Sequence, residues 1–195
     1  GSIVVLDVKS GEVLAMVNQP SFNPNDRSTL SPNALRNRAM LDLIEPGSTV
    51  KPFTILTALQ SGIFSKDSRV DTSPGYVKVD YKTFTDVNDY GVLNFTEILS
   101  KSSQVGTIKV ALKLDPSFTR GVFEKVGLGQ STGSGFPAEA VGRLPTFRVW
   151  DPISQATFAF GYGFSVTSLQ LARAYSVLAN DGVRREISLI ANDLP

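Results

Sequence analysis

The sequence predicts an α/β fold of the α+β type, with an antiparallel hairpin in front and helices behind it. Two β-rich runs, Ile3 to Val8 and Glu12 to Val17, open the chain, and Lys9-Ser10-Gly11 between them is a three-residue loop ending in glycine, a hairpin signal. Further on, apolar residues recur at helical spacing in several segments bounded by capping residues, glycine or proline. With 42% hydrophobic side chains in 195 residues, the chain can bury one good core as a single globular domain of one or two lobes. One face of the hairpin is expected to lie under helices.

The composition removes several kinds of chemistry. There is no histidine and no cysteine, which excludes a Ser-His-Asp or Cys-His device, a His/Cys zinc site and a disulfide framework. Nucleophilic chemistry must then use Ser, Thr or Lys. Nineteen basic against eighteen acidic residues leave a net charge of +1 without a basic run, so nucleic acid is not an expected partner. No apolar segment is long enough to cross a bilayer.

From Asn18 to Arg38 the chain is rich in Asn, Pro, Ser and Arg, which predicts a long surface loop with one short helix around Asn33 to Arg38. The cluster Arg36-Asn37-Arg38 reads as solvated surface, or as a partner for carboxylates. The stretch Glu45-Pro46-Gly47-Ser48-Thr49-Val50-Lys51-Pro52 then turns into an apolar helix ended by Gly62. Residues three apart on a helix share a face, so Ser48 and Lys51 should meet. A lysine whose pKa is lowered by burial can take a serine's proton and make the hydroxyl a nucleophile. The simpler alternative is that Ser48 is a helix cap. This is the chain's only Ser-x-x-Lys.

Between Ile63 and Gly91 the alternation in Tyr76 to Tyr81 predicts a small hairpin or extended excursion, with Asp86, Asn88 and Asp89 as turn residues. Asn94 followed by Glu97 is a capping-box pattern for a helix through Leu99. Lys101 to Gly106 should interrupt it, and Thr107 to Leu114 should resume helical. A Ser102-Ser103-Gln104 corner between two helices could present a hydroxyl and an amide to a cleft, or simply cap a helix. Ser117 to Val126 predicts a helix with Phe118, Val122, Phe123 and Val126 on one face, and five glycines from Gly127 to Gly142 read as turn residues. An aromatic, glycine-rich approach, Thr157 to Gly163, leads to a helix from Ser168 to Asn180 capped by Thr167, with Leu169, Ala172, Tyr175, Ser176 and Ala179 as its stripe. One β-like run, Ile187 to Ile190, comes last.

Taken together, Ser48-Thr49-Val50-Lys51, then Ser102-Ser103-Gln104, then Phe160-Gly161-Tyr162-Gly163 with its following helix resemble the transpeptidase domain of penicillin-binding proteins. The octet around Ser48 is similar to the class B, cell-division type, and the resemblance runs over residues 1–195. It implies an antiparallel sheet flanked by helices plus a mostly helical lobe. It also implies a peptidoglycan D,D-transpeptidase of septal cell-wall synthesis, in which Ser48 attacks a stem-peptide or β-lactam carbonyl, Lys51 deprotonates it, Ser102 relays a proton and Gln104 holds the substrate amide. No cofactor or metal is implied. The implied partners are peptidoglycan stem peptides, β-lactam antibiotics and division proteins, in the periplasm, with an inner-membrane anchor outside this chain and no membrane contact by the chain itself. Two competing expectations are a penicillin-recognising binding or scaffold module without turnover, and a β-lactamase-type serine hydrolase.

The chain departs from the family's pattern twice. The middle motif usually ends in Asn, and Gln104 is one methylene longer. The third motif, Lys-Thr-Gly or Lys-Ser-Gly on a strand beside the site, has no counterpart there: no Lys-Thr-Gly occurs, and Lys9-Ser10-Gly11 is the hairpin loop. Since the resemblance also calls for further strands of the sheet, an incomplete chain is expected, with an apolar edge left exposed by the two N-terminal strands.

Overall fold

The computed structural model describes residues 1–191 apart from Arg27, Thr29 and Phe147. Its strands are β1 Ser2–Leu6, β2 Val13–Asn18, β3 Arg69–Asp71, β4 Tyr76–Val79, β5 Lys82–Thr85 and β6 Val92–Asn94. Its helices are α1 Pro32–Leu35, α2 Arg38–Leu41, α3 Lys51–Gln60, α4 Phe95–Ser100, α5 Gln104–Ala111, α6 Pro116–Lys125, α7 Pro152–Ala159 and α8 Ser168–Ala179, with a 3₁₀ turn at Gly47–Val50. These fall into two compact units, one of residues 1–44, 124–143 and 165–195, the other of residues 45–123 and 144–164.

The first unit is built on the hairpin. β1 and β2 pair antiparallel from Ser2↔Asn18 to Leu6↔Val13, and a bulge leaves Leu14 without a partner. Strand alternation turns Val4, Leu6, Val13 and Met16 toward Met40, Leu169 and Ile187, so α2 and α8 cover one face as expected. The other face carries Ile3, Val5, Leu14 and Val17, all exposed. The Asp7 carboxylate accepts the Lys9 and Ser10 amides at 2.8 Å each, which fixes Lys9-Ser10-Gly11 as a tight turn. In the long loop, which contains the undescribed Arg27 and Thr29, the short helix comes as α1, while α2 was not foreseen. Arg36 and Arg38 both bind the Asp42 carboxylate, which holds it below the usual range, with the Arg36 hydrogen bond the largest cause.

The predicted final helix exists, but its buried stripe is different. α8 starts with a full capping box: the Gln170 amide donates to Thr167 Oγ1 at 3.1 Å, and the Thr167 amide to Gln170 Oε1 at 3.0 Å. It buries Leu169, Gln170, Arg173, Ala174, Ser176 and Val177, whereas Tyr175 and Ala179 are exposed. Periodicity in apolar residues missed this because two polar side chains face inward, where Gln170 Nε2 donates to the carbonyls of Gln130 and Val141 and Arg173 Nη1 to that of Ser131. The run Ile187 to Ile190 is not a strand. It makes one parallel bridge, Glu12↔Ser188, with Ile187 buried beside it.

The second unit is mostly helical with two small antiparallel pairs, β3 with β6 and β4 with β5. Its aromatic cluster links α3, α6 and α7: Phe53 lies 6.3 Å from Phe123, which lies 4.7 Å from Phe158, which lies 5.1 Å from Phe164. A second cluster joins Ile55, Ala58, Leu93, Ile98 and Val110, and a third sets Val79 and Phe84 against Ile108 and Phe160. α5 belongs to both of these last two.

One boundary, one buried stripe and one whole helix in this unit differ from expectation. α5 begins at Gln104, three residues early, because the Ser103 hydroxyl caps it by accepting the Gly106 amide at 2.8 Å. Phe118 on α6 is exposed rather than in the stripe. α7 was not foreseen, although its signal is present: Asp151 caps it and Pro152 occupies its first turn.

Candidate active site

The turn that carries Ser48 is fixed from behind. The Gly47 amide donates to the Gly161 carbonyl at 3.0 Å, the Glu45 carboxylate accepts the Gly163 amide at 2.8 Å, and Thr54 Oγ1 donates to the Ala159 carbonyl at 2.7 Å. Gly161 has φ +94°, and a Cβ there would lie 2.0 Å from the Gly47 carbonyl oxygen. Only glycine permits this approach at position 161. Residues Gly47–Val50 form a 3₁₀ turn that passes directly into α3, and Pro52 sits harmlessly in its first turn. Ser48 is exposed. It caps neither helix, and among the described residues its hydroxyl has no hydrogen-bond partner.

Lys51 begins α3 one turn later and points inward. It is 2% exposed, and its Nζ donates to the Ser102 carbonyl at 2.5 Å and to Ser102 Oγ at 3.1 Å. Burial brings its pKa down from 10.5 to about 8, against an opposing pull from the Asp86 charge. At pH 7 roughly a tenth of such amines are neutral and able to accept a proton.

Ser102 sits at the junction of α4 and α5 in the left-handed region, φ +51°. The Ser103 amide donates to the Ile98 carbonyl at 2.9 Å and the Ser102 amide to that of Leu99 at 3.1 Å. This is the Schellman pairing, whose left-handed residue is usually glycine. Gln104 follows at the start of α5, half-buried, and lines an open cavity of about 380 Å³ with Phe84, Thr85, Thr157, Phe160 and Tyr162.

The fold therefore brings Lys51 and Ser102 into contact, leaves the Ser48 hydroxyl open to solvent one turn from Lys51, and places Gln104 two residues from Ser102. One residue with a place in this arrangement was misread from sequence. Asp86, expected as a turn residue, accepts the Ser103 hydroxyl at 2.6 Å on one carboxylate oxygen and the amides of Gln104 at 2.6 Å and Val105 at 3.1 Å on the other. Its partners lie 17 to 19 residues away, beyond any local pattern.

A family model, the penicillin-binding protein transpeptidase domain, matches residues 1–193. The chain belongs to the penicillin-binding protein transpeptidase family. It is 43% identical over 195 residues to the peptidoglycan D,D-transpeptidase FtsI of Escherichia coli K12, covering all of this chain and 33% of that protein. With a probable peptidoglycan D,D-transpeptidase, PbpC, of Pseudomonas aeruginosa it shares 42% identity over 193 residues, 99% of this chain and 34% of the other. Among solved structures, the apo transpeptidase domain of Burkholderia pseudomallei penicillin-binding protein 3 superposes with a TM-score of 0.86 at 37% identity, over 98% of this chain and 54% of that one. The chain thus spans about a third of the length of these curated relatives. The α+β class agrees with these transpeptidase neighbours.

Proposed function

We propose that the protein is a peptidoglycan D,D-transpeptidase that works through a serine acyl-enzyme. The observation that carries this reading is the buried Lys51 amine, held on the Ser102 hydroxyl one turn after an exposed serine. In its neutral form Lys51 takes the Ser48 proton as Ser48 Oγ bonds to the carbonyl carbon of the penultimate D-alanine of a stem peptide. The peptide C–N bond then breaks, and Ser102 passes the proton from Lys51 to the departing D-alanine amine. Gln104, facing the cavity, holds the substrate's backbone amide. The amine of a second stem peptide attacks the Ser48 ester, loses its proton along the same relay and frees Ser48, leaving a cross-link.

A β-lactam would acylate Ser48 by ring opening in the same geometry, with no leaving amine to diffuse away. The names of the relatives and the octet around Ser48 support a place in septal wall synthesis, on the periplasmic side of the membrane and alongside division proteins. Among the described residues no helix is long and apolar enough to cross a membrane.

Mass spectrometry of the full-length protein after exposure to a fluorescent penicillin tests this reading. A single adduct on the peptide carrying Ser48, absent in Ser48→Ala and persisting for hours, is the expected result. Label elsewhere, or none, refutes it, and rapid release of the acyl group indicates a hydrolase.

A further inference from the structure

We propose that Asp86 is a positioning residue for the acylation chemistry, clamping the Ser102–Gln104 turn so that the Ser102 hydroxyl and the Gln104 side chain stay aligned with Lys51. The proposal rests on the reading of Ser48 as nucleophile.

Asp86 stands on the stretch between β5 and β6, and its own amide donates to the Gly75 carbonyl at 2.9 Å. From that anchor it makes three hydrogen bonds to consecutive residues, and it approaches two of them at 2.6 Å. Such charge-assisted bonds at a helix N-terminus are about twice as strong as neutral ones. The Ser103 hydroxyl donates to Asp86 and accepts the Gly106 amide, so one side chain joins the carboxylate to the first turn of α5.

The clamp has something to hold. Ser102, the residue just before the clamped ones, is left-handed and carries a Cβ, a conformation that persists only where its surroundings over-determine it. On one side the last carbonyls of α4 fix it, and on the other Asp86 fixes residues 103 to 105. Without the carboxylate, two amides and a hydroxyl lose their acceptor and Ser102 can relax toward an ordinary conformation. That would carry its hydroxyl off the Lys51 amine.

The carboxylate also has an electrostatic role distinct from its hydrogen bonds. Asp86 is the charged group whose field reaches Lys51, and it favours the protonated amine. Lys51 otherwise faces Ser102, which is neutral.

The test compares Asp86→Ala and Asp86→Asn with wild type in the full-length protein, reading the second-order rate of penicillin acylation at Ser48 against pH and the hydrogen exchange of the Gln104 and Val105 amides. Asp86→Ala is expected to lose protection at both amides and to acylate about a hundredfold more slowly. Asp86→Asn keeps an oxygen for the two amides and its amide group can donate to the Ser103 hydroxyl, so protection should persist. Removing the negative charge lowers the Lys51 pKa, so the rising limb of its rate profile should move to lower pH, a shift that loss of fold stability would not produce. Wild-type rate and wild-type protection in Asp86→Ala overturn the proposal. So does lost protection at an unchanged rate, or a slowed rate with protection intact. Should wild type fail to acylate at Ser48, the functional reading falls, and the exchange data alone decide whether Asp86 holds the turn.

Discussion

Replacing Ser102 by glycine and by alanine separates what its backbone does from what its hydroxyl does. Both variants remove the oxygen that Lys51 Nζ reaches at 3.1 Å, so they lose the same contact. They differ in backbone strain. A Cβ in the left-handed region costs roughly 1 to 2 kcal/mol, and the extra freedom of glycine in the unfolded chain offsets about 0.4 to 1 kcal/mol of its relief. Ser102→Gly should therefore be more stable than Ser102→Ala by about 1 kcal/mol, or ~2–4 °C in melting temperature for a domain of this size. Scanning calorimetry of the two full-length variants reads this difference, and penicillin acylation reads the chemistry. Both variants should acylate about a hundredfold more slowly, the lower range for loss of a proton-transfer group. An alanine variant that melts with or above the glycine variant refutes a strained left-handed residue at 102. A wild-type acylation rate in either removes the Ser102 hydroxyl from the mechanism.

Two further substitutions address the neighbouring groups. Lys51 titrates near 8 in the folded protein against an ordinary 10.5. The folded state therefore binds its proton less tightly, and its contribution to stability is lowest below pH 8 and rises as pH climbs toward 10.5. Lys51→Met should abolish acylation and remove that rise, and denaturant unfolding at pH 7 and pH 9.5 should show the variant gaining most over wild type at pH 7; an equal difference at both pH values contradicts a depressed pKa. Gly161→Ala places a methyl against the Gly47 carbonyl at positive φ, and should cost about 1 to 3 kcal/mol and slow acylation by shifting the residue before Ser48. The same change at Gly121 on α6, where a Cβ meets open space, should stabilise by ~0.5–1 kcal/mol and leave acylation alone; similar effects at the two glycines would show that the Gly161 contact is not tight.

What could be read from sequence was what depends on near neighbours. The hairpin, the capping box at Asn94 and the cap at Thr167 are set within four residues, and each appears where expected. The elements that were missed depend on distant partners. The α8 stripe shifted because Gln170 finds its acceptors 29 and 40 residues away in the turn-rich segment before it. Asp86 was invisible for the same reason, since an aspartate between β-like runs is an ordinary turn residue until the fold brings the start of α5 against it. α7 is a different case: Asp151-Pro152 is a local start signal, and the aromatic, glycine-rich residues behind it mask the helical spacing.

The contrast between Gln170 and the Lys51–Ser102 pair bears on which buried polar groups serve chemistry. Gln170 is fully buried, and its amide gives and accepts hydrogen bonds with good partners, so it fixes a loop and stores nothing. Lys51 is equally buried, yet among the described residues it has no ion pair, and the hydroxyl it meets belongs to a residue in a conformation suited to glycine. Folding alone would favour Met at 51 and Gly at 102. Both departures fall on two residues in direct contact, one helical turn from an exposed serine, and Asp86 clamps the backbone next to them. A structural role would explain either departure by itself at the expense of stability, whereas the proposed proton path from Ser48 through Lys51 to Ser102 uses both.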